Sequence, residues 1–307
     1  MTALWDPARH EPLQGGAWDE GRVRDCIAHI VAETEARYTP QAWWPLHPLD
    51  ADPGEDLQQP ATPLYYGACG VFWALHYLQD LGAVRLQRSY IEPCEELLVR
   101  NRAWLGEVAD EAAPSYLMGD TPIRLLQFGA TASTSVADEL AGLIARNLDH
   151  PARELMWGSP GTLLAALFLH QRTGQARWAD LYRSTAAKLW SQLEWSDEFG
   201  CHYWSQDLYG RHSTYIDAVH GFVGTAAPLI RGRSLLAPAD WAAWQACIEN
   251  TVARTATREG GLANWRAWLQ GPTRALLMQY CHGAPGMVIR NSQPSLIESL
   301  SPLAHER

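Results

Sequence analysis

Along most of the chain, apolar residues recur three and four positions apart with acids and arginines between them, the spacing of one buried helix face. Val23, Cys26, Ile27, Ile30 and Val31 fit it between Trp18 and Tyr38 and predict a first amphipathic helix, which stops before Pro40. Pro40 to Pro63 carries six prolines and several acids and predicts an irregular covering loop. Helices then come in pairs: residues 70–80 with 91–108, 122–129 with 135–147, 161–173 with 178–193, and 223–231 with 239–257. A fifth begins at Pro272 and runs into a turn at Cys281. Strand-like alternation is nearly absent, so the expected class is all-α, in one domain over residues 1–307.

A glycine turn punctuates this pattern. Gly67-Ala68-Cys69-Gly70, Gly158-Ser159-Pro160-Gly161, Gly221-Phe222-Val223-Gly224 and Gly283-Ala284-Pro285-Gly286 match one another, and Gly119-Asp120-Thr121-Pro122 is a degenerate copy. Most are followed by an apolar helical run, which suggests one helical hairpin per loose repeat. Glycine suits a residue that ends a segment in the left-handed region, and a helix starting just after it has unpaired backbone N–H groups. Several such helix starts facing one centre would form an anion-friendly floor.

Composition narrows the function classes. With 47% hydrophobic residues the chain can bury a substantial core, and a net charge of −10 repels nucleic acid and anionic membranes alike. No apolar run approaches the roughly 20 residues of a membrane span. Met1 to Gly16, with Asp6, Arg9 and Glu11, reads as neither a signal nor a transit peptide, so a cytoplasmic location is expected. Six scattered cysteines without a Cys-x-x-Cys pair predict small buried hydrophobes, not a disulfide scaffold. Fifteen tryptophans read mostly as core packing.

Three segments carry a family likeness. Glu154-Leu155-Met156-Trp157-Gly158-Ser159-Pro160-Gly161, His220-Gly221-Phe222-Val223-Gly224 and Cys281-His282-Gly283-Ala284-Pro285-Gly286 resemble, in order, motifs of the lanthionine synthetase C-like (LanC-like) family. The match runs from about Tyr65 to Met287, leaving residues 1–64 as an N-terminal helix and loop and 288–307 as a divergent tail. The wording of the motifs is closer to the stand-alone relatives than to the dedicated lantibiotic cyclases. The resemblance implies an α/α toroid, a double barrel of helical hairpins, of which this sequence covers about five of the family's seven.

It also implies a chemistry. Family members bind zinc through two cysteines and a histidine and add a thiol, from a peptide cysteine or glutathione, to dehydroalanine or dehydrobutyrine. Cys281 matches the first zinc ligand. The later Cys-His-Gly motif that brings the other two is missing between Met287 and Arg307, where only His305 is a candidate donor. A C-terminally truncated and impaired member is therefore expected. His220 matches the family's acid or base, Glu154 stands where the cyclases have an aspartate, and His282 falls near the reacting centre. Leu277 occupies the place of a cyclase arginine, and Arg274 lies one turn earlier.

Other readings compete with this one. Cys69 sits in an equivalent turn and is a conceivable second metal donor, whereas His76, His170, His202 and His212 read as structural or surface residues. A non-catalytic peptide- or glutathione-binding remnant is one alternative. A carbohydrate-processing toroid is another, for which Asp197, Glu198, Asp207 and Asp217 supply carboxylates without a legible pair. An incomplete toroid would bare apolar helix faces, so self-association through its open edge is expected.

Overall fold

The computed structural model describes residues 15–49, 51, 53–54, 56–57, 59–271 and 276–291. Asp6, Arg9, Glu11, the helix start expected at Pro272, Arg274 and the tail with His305 lie outside them. The described residues are mostly helical and fall into two compact units that part between Leu140 and Ala141.

In the first unit, Asp19 caps α1 (Glu20–Arg37) by accepting a hydrogen bond from the Arg22 N–H at 3.0 Å. Of the apolar stripe read from sequence, Val31 is buried, whereas Cys26 and Ile30 are exposed. Glu35 on the same helix is buried and accepts from the Tyr90 hydroxyl and the Gln87 N–H. The proline-rich loop is irregular, as its composition predicts, yet it inserts Trp43 fully into the core, its ring 5.7 Å from that of Phe72. Around this ring pack α2 (Ala68–Asp80) and α3 (Cys94–Leu105) through Phe72, Leu75 and Leu97. The short α4 (Ala109–Ala112) and α5 (Thr121–Thr131) follow, and α6 (Thr134–Arg146) runs into the second unit.

The second unit is layered. α7 (Ser159–Thr173) and α9 (Phe222–Arg231) are buried along most of their length, which their uniformly apolar sequences require. α9 packs against α7, against α10 (Pro238–Thr255) and against α11 (Ala284–Asn291). α8 (Ala176–Ser191) covers α7 with one buried face, including Trp178, Tyr182 and Leu189.

Three antiparallel hairpins depart from the near absence of strand pattern. They pair β1 (Glu194–Ser196) with β2 (Cys201–Tyr203), β3 (Gln206–Leu208) with β4 (Arg211–Ser213), and β5 (Ala256–Glu259) with β6 (Leu262–Trp265). Strands of three or four residues are too short to register as a period of two. Tyr209 and Gly210 both take positive φ, 56° and 69°, the combination that a two-residue turn between twisted strands demands. The helix expected to run from Pro272 into the Cys281 turn is a second departure: residues 276–283 form no helix, and α11 begins only at Ala284.

The glycine turns are built otherwise than their sequence suggests. Gly67, Gly158 and Gly221 have φ of −125°, −90° and −107°, extended values open to any residue, and not the left-handed ones expected. Close approach is what excludes a side chain. A Cβ on Gly67 would lie 2.6 Å from the Ala61 carbonyl carbon, one on Gly119 2.2 Å from Ala112 O, and one on Gly221 2.1 Å from Asp217 N. At α2 and α9 the segment before the helix folds back against its first turn, and helix N–H groups bond carbonyls seven positions earlier (222 to 215, 68 to 61). Phe222, Val223 and Gly224 donate in this way to Tyr215, Ile216 and Asp217, and Ala68 and Cys69 to Ala61 and Thr62. At Gly119 the same bond joins Asp120 N to Ala113 O at 2.8 Å, so the degenerate copy is a full member. The anion-friendly floor is thereby corrected at α2 and α9, whose leading N–H groups are already taken.

Candidate active site

Four side chains of the second unit, brought together by its glycine turns, make two histidine–carboxylate pairs. Glu154 lies in the segment before α7. Its Oε1 accepts from the Trp157 N–H at 2.5 Å, and its Oε2 accepts from the Met156 N–H at 2.8 Å. Oε2 also meets His220 Nδ1 at 3.0 Å. Asp217 repeats the arrangement before α9. Its Oδ1 accepts from the N–H groups of Val219, His220 and Gly221 at 2.9, 2.8 and 3.1 Å, and its Oδ2 meets His282 Nδ1 at 2.8 Å.

The two pairs share one register. Each carboxylate stands four residues before a turn glycine, 154 before 158 and 217 before 221. Each histidine stands immediately before the first glycine of the next turn, at 220 and 282. Each carboxylate thus fixes its own turn through backbone donors and holds the ring presented by the following one. Both carboxylates are fully buried, whereas the side chains of His220 and His282 keep 24% and 26% exposure. Buried acceptors behind partly open rings suit proton exchange with a bound molecule.

The surroundings hold the rings in place. Tyr215 lies 5.7 Å from the His220 ring and 6.2 Å from that of His282, and Trp268 stacks 6.4 Å from His282. Gln206, fully buried, grips the Tyr215 backbone: its Oε1 accepts from the N–H at 2.8 Å and its Nε2 donates to the carbonyl at 3.1 Å. Asn264, equally buried, ties down the Cys281–His282 turn, accepting from the Ala284 N–H at 2.8 Å and donating to Leu277 O at 3.1 Å. Gly283 takes φ 133°, and a Cβ there would lie 2.0 Å from Leu277 O. Arg153, just before Glu154, takes φ 46°, a strained value for a residue with a side chain.

Burial works to lower the pKa of His220, but the Glu154 hydrogen bond, the Glu154 charge and the Asp217 charge outweigh it and leave the imidazole raised. The pair is therefore biased toward the imidazolium, a proton donor.

The residues for zinc do not come together in the same way. Cys281 is a half-buried free thiol beside the site, and its carbonyl accepts from the Ala218 N–H. Among the described residues no three His, Cys, Asp or Glu side chains cluster as metal ligands, whereas zinc sites need three protein donors or more. Cys69 is fully buried in the core of the first unit, where burial and then neighbouring Cys94 push its thiol well up. His170 bonds Gln175 O and His202 packs on Trp195, structural roles in keeping with their sequence setting.

Sequence reasoning named His220, His282, Glu154 and Cys281 and missed the role of Asp217, Asn264 and Gln206. Asp217 had a legible signal, its four-residue offset from Gly221, the same as that of Glu154 from Gly158. Asn264 and Gln206 act on backbone from distant hairpins and left none. No protein-family model matches the chain, and no curated protein matches it.

Proposed function

We propose that this chain is a LanC-like protein, an α/α toroid of glycine-turned hairpins, that adds a thiol to dehydroalanine or dehydrobutyrine in a modified peptide. The thiol is a peptide cysteine or glutathione. The observation that carries this reading is the 3.0 Å pair of His220 and Glu154, with a raised imidazole pKa, in one site with the Cys281–His282 turn. Addition of a thiol to the β-carbon leaves a carbanionic α-carbon, and the His220 imidazolium supplies the proton that completes the thioether. The recurring turn supports the toroid, since each copy starts a helix against a folded-back segment. Six unpaired cysteines accord with a cytoplasmic setting, where thiol substrates stay reduced.

Zinc would supply thiol activation in an intact family site, and Cys281 is the residue here that matches one of its ligands. Of the four carboxylates the carbohydrate reading draws on, Asp217 has both oxygens engaged, by His282 and three backbone donors. Self-association belongs to the same proposal, and the exposed Trp73 and Tyr77 rings on α2 are the apolar surface it would use.

Incubating the protein with a dehydroalanine-containing peptide and glutathione, and reading the peptide mass, tests the reaction. The expected result is addition of one glutathione per dehydroalanine, with kcat lowered about 10²-fold or more in His220→Asn. Peptide binding without a mass increase would replace catalysis by the binding-module reading.

A further inference from the structure

The tip of the β3–β4 hairpin carries a residue that its turn does not favour. Two-residue turns with positive φ at both positions prefer asparagine, aspartate or glycine at the first, and here Tyr209 holds it at φ 56° before Gly210. The tyrosine gains little burial there, since it is 78% exposed. Its hydroxyl accepts from the Trp157 indole N–H at 3.2 Å, and the two rings meet edge-on at 6.1 Å and 88°. A strained, exposed aromatic residue that the turn itself does not need points to a task at the surface.

We propose that Trp157 and Tyr209 form an aromatic subsite that selects dehydroamino acid peptides with an aromatic residue next to the reacting one. This rests on the thiol-addition reading above and names the peptide class that the site takes.

Position carries the assignment. The Trp157 N–H and the His220 ring bind opposite oxygens of the Glu154 carboxylate. The Trp157 backbone is thereby held within about two extended peptide residues of His220, at roughly 3.3 Å per residue. A side chain flanking a dehydroalanine that stands at His220 therefore reaches the indole. The hairpin is also fixed at its root. Asp207 N donates to Pro151 O at 3.1 Å, and Arg153 Nη1 donates to Ser205 O at 2.8 Å, which ties it to the segment carrying Glu154. Gln206 ties it to Tyr215, in the segment that leads to His220. Tyr209 is thus set on a frame that both turns share.

Chemistry names the ligand. The indole N–H and the phenol oxygen bind each other, so the surface that the pair offers is ring face and edge. Trp157 is half-buried, which leaves part of its side open to solvent. Covering such a surface with a third ring gains an aromatic contact and removes apolar area from water, whereas a carboxylate side chain gains neither.

With glutathione as the thiol, kcat/KM of the wild-type protein should be about tenfold higher for a peptide with phenylalanine beside its dehydroalanine than for one with alanine there, the difference lying in KM. Tyr209→Asn gives the turn a residue it prefers, so the thermal midpoint should hold or rise while the preference disappears. Tyr209→Phe keeps the ring and should keep the preference. No preference in the wild type, an undiminished one in Tyr209→Asn, its loss in Tyr209→Phe, or a lowered midpoint in Tyr209→Asn with kcat reduced for both peptides each overturns the proposal. If the wild-type protein forms no thioether with either peptide, the thiol-addition reading falls, and calorimetric binding of the same two peptides decides the subsite. Tighter binding of the phenylalanine peptide that is lost in Tyr209→Asn keeps it, and equal binding overturns it.

Discussion

At Glu154 and Asp217 a carboxylate binds the backbone of its own turn and the histidine of the next: Asp217 gives one oxygen to each task, whereas Glu154 shares Oε2 between the Met156 N–H and His220. The carboxylate of Glu154 thereby sets the charge of His220. Its folded pKa stands above the unfolded value of about 6.5, so the stability it adds is full below about pH 6.5 and is lost as pH rises through the folded pKa. Glu154→Gln removes the larger raising influences and leaves burial to lower the pKa, with only the Asp217 charge opposing it. Proton NMR titration should place His220 above 6.5 in the wild type and lower in Glu154→Gln. The stability difference between the two should shrink from pH 6 to pH 9, and a constant difference would reject the assignment. The Glu154–His220 pair was accessible from sequence because both residues sit in motifs. Asp217 carried the same four-residue offset from its turn glycine as Glu154 but was missed, because it lies outside the motifs and stands among several acids.

The turn is the element from which this chain is built, and Gly67, Gly158 and Gly221 were recognised for the wrong reason, whereas Gly283 does take a positive φ. Left-handed backbone would tolerate alanine at a modest strain, whereas backbone atoms 2.1 to 2.6 Å from a notional Cβ, as at Gly221 and Gly67, leave no room at all. Gly221→Ala should therefore lower stability by about 1–3 kcal/mol or more and, by displacing Asp217 and the His220 backbone, disturb both pairs. Gly142 provides the control: it is exposed within α6 with no other segment within 4 Å of a notional Cβ, and Gly142→Ala should raise stability by about 0.5–1 kcal/mol. Urea melts followed by circular dichroism measure both, and equal effects of the two substitutions would refute the close-approach account. The long apolar runs of α7 and α9 made the helices legible. The hairpins from β1 to β6 were not, because three-residue strands carry too little pattern and owe their place to side-chain clamps such as Gln206 on Tyr215.

For the whole molecule, the opposition is between a net charge of −10 and apolar surface left uncovered. Trp73, Tyr77 and Leu81 lie four residues apart along α2 and its end, with exposures of 51%, 49% and 64%, and the first two rings stack at 5.2 Å. Four-residue spacing puts all three on one stripe, and a ring stack facing water gains by meeting a second apolar surface. Self-repulsion between like-charged copies opposes that meeting at low salt, and added salt screens repulsion while leaving apolar attraction intact. Sedimentation velocity should therefore show a monomer shifting toward a dimer as salt rises from about 0.05 M to about 0.5 M, where the Debye length falls below about 8 Å. Replacing Trp73 and Tyr77 together by glutamine should remove the shift without altering the thiol-addition rate, since neither residue is part of the two histidine–carboxylate pairs. A dimer that instead dissociates as salt rises would be held by charge, and the α2 stripe would then have no part in it.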